Sequence, residues 1–232
     1  MNLRTILILG ALSAFGPLAI DFYLPAFPAM ALAFATDEQH VQLTLAAYFF
    51  GLSIGQLAYG PVADRFGRRI PLLIGVGLFT AASLACAYAP NLDWLIGARF
   101  VQALGGCAGM VISRAVVSDK CDAVGSAKVF SQLMLVMGLA PILAPMLGGV
   151  LVNTAGWQSI FLVLTGFSAL AGLAVALGLP ESMPAHLPRQ PLSGALRQYG
   201  RLLKDPVYLG HALTGGIAIA GMFSYIAGSP FV

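Results

Sequence analysis

Three ionisable side chains stand inside long apolar runs: Asp21, Arg99 and Arg114. A charge held within a bilayer costs roughly 2.5–3.5 kcal/mol on insertion scales, so each is a functional candidate by default. Asp21 lies six residues before Phe27, where the first apolar run ends, and Arg99 lies five residues after Trp94, where the fourth begins. At helical rise these positions are roughly 9 and 8 Å inside the same membrane face. A carboxylate and a guanidinium at equal depth attract one another, and each offsets the other's desolvation. The chemistry this predicts is proton carriage: Asp21 takes up and releases a proton as its distance from Arg99 changes. A fixed ion pair that only joins two helices is the plainer alternative. Arg114, about 20 residues into the fourth run, reads as a snorkelling or gate residue.

A second concentration of charge follows the second apolar run. Gly60-Pro61-Val62-Ala63-Asp64-Arg65-Phe66-Gly67-Arg68-Arg69 packs four charges into six residues, with glycines at two positions that could turn the chain. Asp64 is spaced to pair with Arg68 or with a cation on another helix. Topology alone would account for the positive charge, and spacing adds the prediction of a tight charged hinge. Arg114 and Asp119, at the far end of the fourth run, are the candidate partners of Asp64 and Arg68.

The elements that position these residues are apolar helices. The chain is 232 residues long, 59% hydrophobic and 9% charged, where soluble domains carry about 25% charge. That composition excludes a soluble globular domain, a disordered chain and a basic nucleic-acid binder. Apolar segments fall at Thr5–Phe27, Val41–Tyr59, Pro71–Ala89, Trp94–Val117, Val129–Val152, Ile160–Leu179 and Val207–Val232. Each has the length of a bilayer-crossing helix, and none shows the strict alternation of a barrel strand. The first is read as a retained span rather than a cleaved signal. Arg4, Arg65, Arg68, Arg69, Lys120, Lys128, Arg189, Arg197, Arg201 and Lys204 all fall before the first run or in alternate loops, while the other loops carry Asp37, Glu38 and Asp93. The positive-inside rule then predicts a cytoplasmic N-terminus.

The linker Pro180–Pro206 contains Pro184, Pro188 and Pro191 and ends in Leu192–Leu203, where Leu196, Tyr199 and Leu203 alternate with Arg197, Arg201 and Lys204. Two readings stand: a short basic amphipathic helix on the inner membrane surface, or a flexible basic tether. Cys86, Cys107 and Cys121 form no CxxC pair, and His40, His186 and His211 have no metal partner at useful spacing. Nothing in the spacing points to a cofactor, a nucleophile–base pair or an ATP loop. Energy for any transport would come from an ion gradient.

The Gly60–Arg69 stretch resembles the G-x-x-x-D-R-x-G-R-R loop between helices 2 and 3 of the major facilitator superfamily. The resemblance implies that Gly60, Asp64, Arg65, Gly67, Arg68 and Arg69 gate two six-helix halves. Arg99-Phe100-Val101-Gln102 is similar to the helix-4 motif, with Ala103 and Leu104 delaying its glycine. Gly138, Pro141, Pro145, Gly148 and Gly149 are similar to the helix-5 motif of the antiporter branch, with Ala144 in place of a glycine. Prolines there remove backbone bonds, and glycines admit a close neighbour. The segment Leu12–Pro28 and the ending Gly228-Ser229-Pro230-Phe231-Val232 resemble the Bcr/CflA drug exporters.

The fold expected is therefore all-α and integral to the membrane. Residues 1–180 form a six-helix N-terminal bundle, 181–206 a cytoplasmic central loop and 207–232 a seventh transmembrane helix. Relative to twelve helices this is incomplete, and the chain alone is not expected to complete a transport cycle. The resemblance implies a multi-pass protein of the bacterial inner membrane that exports small amphipathic drugs in exchange for protons, monomeric at full length and without nucleic-acid partners. Phe22, Tyr23, Tyr48, Gln102 and Met137 are pocket candidates, since aromatics and methionine suit promiscuous binding. An uptake transporter on the same fold and a non-transporting membrane module are the competing readings.

Overall fold

The computed structural model describes residues 1–183 and 192–228. The elements are α1 (Leu3–Ser13), α2 (Phe15–Asp21), a single 3₁₀ turn (Leu24–Ala26), α3 (Phe27–Ala33), α4 (Glu38–Phe66), α5 (Arg69–Ala87), α6 (Leu92–Lys120), α7 (Ala123–Ala155), α8 (Gln158–Gly178), α9 (Leu192–Leu202) and α10 (Pro206–Gly228). Pro184, His186, Pro188, Arg189, Pro191 and the terminal Ser229–Val232 lie outside the described residues. Six helical segments among the described residues are long and apolar enough to cross a membrane. They are Leu3–Ala33, α4, α5, α6, α7 and α8.

Polar residues at the segment ends set the boundaries. Asn2, Asp37, Asn91 and Asp122 each accept the backbone N–H three residues on, at 2.8–3.0 Å, and so start α1, α4, α6 and α7. Each cap lies outside the apolar run, and the helices accordingly run past the hydrophobic limits, by seven residues at the end of α4. The first segment differs from the continuous helix expected. It breaks at Ala14 and again at Phe22–Tyr23, because Pro17, Pro25 and Pro28 lack the N–H a continuous helix needs. Each proline instead occupies the first turn of the next piece, where that donor has no helical partner. Pro61, Pro141 and Pro145 lie inside unbroken α4 and α7.

The residues 1–188 form one unit, and 189–232 a second. Within the first, α6 is the hub. It packs against α4 and α5, and α5 in turn packs on α8. Glycines permit this closeness. A Cβ on Gly51 would fall 2.5 Å from the Phe100 carbonyl oxygen, and one on Gly109 would fall 2.7 Å from the Leu12 carbonyl oxygen. A Cβ on Gly105 would strike the α5 backbone at Phe79 and Gly75. Lipid gives apolar side chains no net drive to associate, so such backbone-to-backbone fit carries the packing. Gly105→Val is expected to force α5 off α6 and to cost about 1–3 kcal/mol or more, read as a lowered Tm in detergent. An unchanged Tm would show that this contact does not hold the bundle.

In the second unit α9 and α10 are joined by a hydrogen-bonded turn. Lys204 and Asp205 donate their N–H groups to Arg201 and Leu202 at 3.0 and 3.1 Å.

Candidate functional site

The first cluster surrounds Arg99, which is fully buried. Its guanidinium lies between two aromatic rings, 4.4 Å from the Tyr23 centroid and 4.2 Å from that of Tyr48, with Phe161 at 5.9 Å. Arg99 donates to Gln102 Oε1 at 2.6 Å and to the Ala19 carbonyl at 3.0 Å. Gln102 passes the polarity on, donating to Ser83 Oγ at 2.7 Å, which donates to the Phe79 carbonyl at 2.7 Å. Thr44 donates to the Val41 carbonyl, so the Tyr23 hydroxyl is the donor in its own bond to Thr44. Among the described residues, Arg99 Nε and Tyr48 Oη have no hydrogen-bond partner. A buried cation is thus held by π faces and neutral acceptors contributed by five parts of the chain.

The expected pairing of Asp21 with Arg99 does not form. Asp21 is buried, 7% exposed, and its carboxyl makes no ion pair or hydrogen bond among the described residues. Helix geometry explains the correction. Arg99 reaches the Ala19 carbonyl, and residues two apart on a helix do not share a face. Equal depth placed the two charges at one level but could not place them on facing sides. Asp21 closes α2, at the negative end of that helix.

The pocket candidates divide. Tyr23, Tyr48 and Gln102 are fully buried and form the cage around Arg99 rather than the wall of an opening. Phe22 is buried, and its backbone lies against α7 at Gly148, where a Cβ would collide with it. Met137 is part-exposed on α7. Within the α7 motif only Gly148 makes such a close approach, since a Cβ on Gly138 or Gly149 would meet open space. Pro141 is exposed and Pro145 half-buried on the same helix.

The second cluster lies where α4 turns into α5. The charged stretch is helical through Phe66, so Gly60 is not a turn residue, and the chain reverses at Gly67 with φ +90°. Arg68 donates to Asp64 Oδ1 at 2.5 Å and, through Nε, to Asp119 Oδ2 at 2.9 Å. Arg68 therefore joins Asp64, its candidate partner one helical turn away, to Asp119, one of the two candidates on α6. Arg114 is exposed and has no ion pair among the described residues, because α6 carries Asp119 rather than Arg114 to the turn. Arg65 is exposed beside the Phe66 ring. Burial lowers the proton affinity of Arg68, but its bonds to Asp119 and Asp64 outweigh this and raise its pKa.

Sequence reasoning missed Glu181. Its carboxylate accepts the backbone N–H groups of Arg68 at 2.9 Å and Arg69 at 3.1 Å, which open α5. It also accepts those of Ser182 and Met183 at 2.9 and 3.0 Å. Part-burial pushes the Glu181 pKa up, but these four N–H groups overcome it, and the carboxyl titrates below the usual glutamate range. In return Arg69 donates to the Ala176 carbonyl at 2.6 Å and Arg4 to that of Leu177 at 3.3 Å, both in the last turn of α8. A carboxylate thus caps the start of α5 and two cations cap the end of α8, each matched to the helix dipole. Ser182 Oγ donates to Asp119 at 3.3 Å and joins the two halves of the clasp. The only available sequence signal was an acidic residue directly after an apolar run.

Six membrane-length helices, a broken first segment and a charged clasp at one end define a polytopic helical membrane protein. The chain belongs to the major facilitator superfamily, whose family model matches residues 7–231. It is 44% identical over 229 residues to an uncharacterized MFS-type transporter, YdgK, of Bacillus subtilis, covering 97% of this chain and 57% of that one. It is 32% identical to a bicyclomycin resistance protein homolog of Haemophilus influenzae, covering 98% of this chain and 57% of the relative. Multidrug resistance protein D of Escherichia coli is 31% identical, with the same coverage. The chain spans about half the length of the curated relatives it matches. Among solved structures, the proton:xylose symporter XylE superposes with a TM-score of 0.68 at 16% identity, covering 77% of this chain and 45% of that one, and shares the fold.

Proposed function

We propose that this chain supplies the first six-helix bundle (residues 1–180), the central loop (181–206) and a seventh transmembrane helix (207–232) of a proton-coupled exporter of small amphipathic drugs, of the Bcr/CflA type. Its N-terminus and clasp face the cytoplasm of a bacterium, in keeping with the placement of Lys and Arg. Relatives named for bicyclomycin and multidrug resistance support the substrate class.

One observation carries the coupling: Asp21 is a buried carboxyl with no counter-charge in the described residues, in the broken part of the first span. An uncompensated buried charge is costly, so gain or loss of a proton there alters the local energy strongly. Arg99, bonded to the Ala19 carbonyl two residues from Asp21, sets a guanidinium beside the same segment. The Asp64–Arg68–Asp119–Glu181 clasp holds the cytoplasmic ends of α4, α5, α6 and α8 together as the gate. Gly60, Arg65, Arg69 and Arg114 belong to the same end of the bundle.

The test is proton release on addition of bicyclomycin, or of a lipophilic cation, to the protein in weakly buffered proteoliposomes. The wild type is expected to release protons and Asp21→Asn to fall to background at an unchanged Tm. Equal release from the mutant would remove Asp21 from the coupling step.

A further inference from the structure

From the geometry we infer that α9 is a docking element for anionic phospholipid in the cytoplasmic leaflet. This goes beyond the transport reading and does not depend on which substrate is carried.

A helix of 11 residues is too short to be stable in water by itself, since isolated helices below about 12–15 residues are marginal. It therefore calls for a surface to lie on, and its own chemistry describes that surface. Arg197 and Arg201 are one helical turn apart, and Lys204 follows one further turn on. All three are exposed. With Gly194, Gln198, Leu202 and Asp205, the two arginines line an open groove of about 520 Å³. Asp205 is the acidic group in that groove, and its carboxylate is engaged by the N–H groups of Val207 and Tyr208 at 2.9 and 3.3 Å, where it caps α10. Two guanidinium forks and the Gln198 amide outnumber that one carboxylate, and with Lys204 beside them they match a phosphate diester.

The opposite side of the helix is apolar. Ala195 and Tyr199 are half-buried, and Leu203 is 64% exposed. A tyrosine between leucines and cations suits the headgroup level, where one end is apolar and the other wet. The turn into α10 is only three residues long. With α10, an apolar helix of 23 residues, as the proposed seventh span, a basic strip joined to it this tightly lies at the membrane surface. That position favours a lipid headgroup over an acidic protein or a nucleic acid. The cytoplasmic leaflet is the one that carries anionic lipid, and each basic residue there shifts partition about fivefold.

Amide exchange of residues 194–204, measured on the whole chain in nanodiscs, tests this. Discs of phosphatidylcholine alone are compared with discs containing about 30 mol% phosphatidylglycerol, which supplies the anionic headgroup. Exchange is expected to be on the order of tenfold slower in the anionic discs, and the difference to shrink in high salt, where charges are screened. The triple variant Arg197→Gln/Arg201→Gln/Lys204→Gln should lose the difference. Leu203→Glu should weaken it from the apolar side. Unchanged exchange in α10 shows that each variant remains folded. Equal exchange in the two bilayers overturns the inference, as does full protection in the triple variant. Protection of the same size from inorganic phosphate in zwitterionic discs would assign the groove to a free anion and overturn it as well.

Discussion

Replacing Arg99 with methionine is expected to abolish substrate-induced proton release while moving stability by no more than about 3 kcal/mol. The small second effect follows from opposing terms of similar size. Two desolvated ring contacts at 4.2 and 4.4 Å are worth about 2 kcal/mol each. The bonds to Gln102 and Ala19 at 2.6 and 3.0 Å add roughly 1.5–3 kcal/mol each. Against them stands several kcal/mol for burying a guanidinium that has no ion pair among the described residues. A methionine of similar length fills the space between Tyr23 and Tyr48 and keeps the packing. Both variants leave Gln102 Oε1 without its donor, and Arg99→Ala should be worse for the fold because it alone also opens a cavity. The measurement is paired: Tm in detergent and proton release in proteoliposomes, for Arg99→Met beside Asp21→Asn. A variant that unfolds yet still couples when refolded would make Arg99 a structural residue only.

Arg68→Ala should produce the largest loss of stability in the clasp, about 3–5 kcal/mol. The side chains of Arg68 and Asp119 are 10% and 11% exposed, so removing the cation strands a nearly buried carboxylate. Asp64 is 56% exposed, and Asp64→Asn should cost less than about 1 kcal/mol, as solvent-exposed pairs do. Asp119→Asn belongs with Arg68→Ala. If Asp64→Asn proves as damaging as Arg68→Ala, the hierarchy drawn from burial is wrong. The clasp should also respond to acid through Glu181. Its folded pKa lies below the ordinary 4.5, so its contribution is complete above that value and is lost as pH falls through the lowered one. Glu181→Gln should lower the neutral-pH Tm and flatten this acid limb. A limb of unchanged steepness would place the acid sensitivity elsewhere.

Segment length and hydrophobicity determined that the chain is helical and crosses a membrane, because lipid admits only helices and closed barrels and these runs are too long and too evenly apolar for barrel strands. Spacing offered Arg68 as one partner for Asp64, since a four-residue separation is one helical turn, while the choice of Asp119 over Arg114 as the partner from α6 was made by the fold. Prolines at 17, 25 and 28 were visible, yet only the folded chain showed that they divide the first span into three pieces.

Tertiary structure decided everything that depends on direction around a helix axis. Depth can be counted along a sequence, but facing cannot, because a few residues of uncertainty in a helix start rotate every side chain. Asp21 and Arg99 therefore shared a level without meeting, and Tyr23, Tyr48 and Gln102, taken as pocket walls, became the shell of a buried cation. Glu181 lies 113 residues from the amide of Arg68, a separation at which no local rule applies. Its role arises because α5 and α8 pack side by side, so the end of one supplies the charge that the beginning of the other lacks.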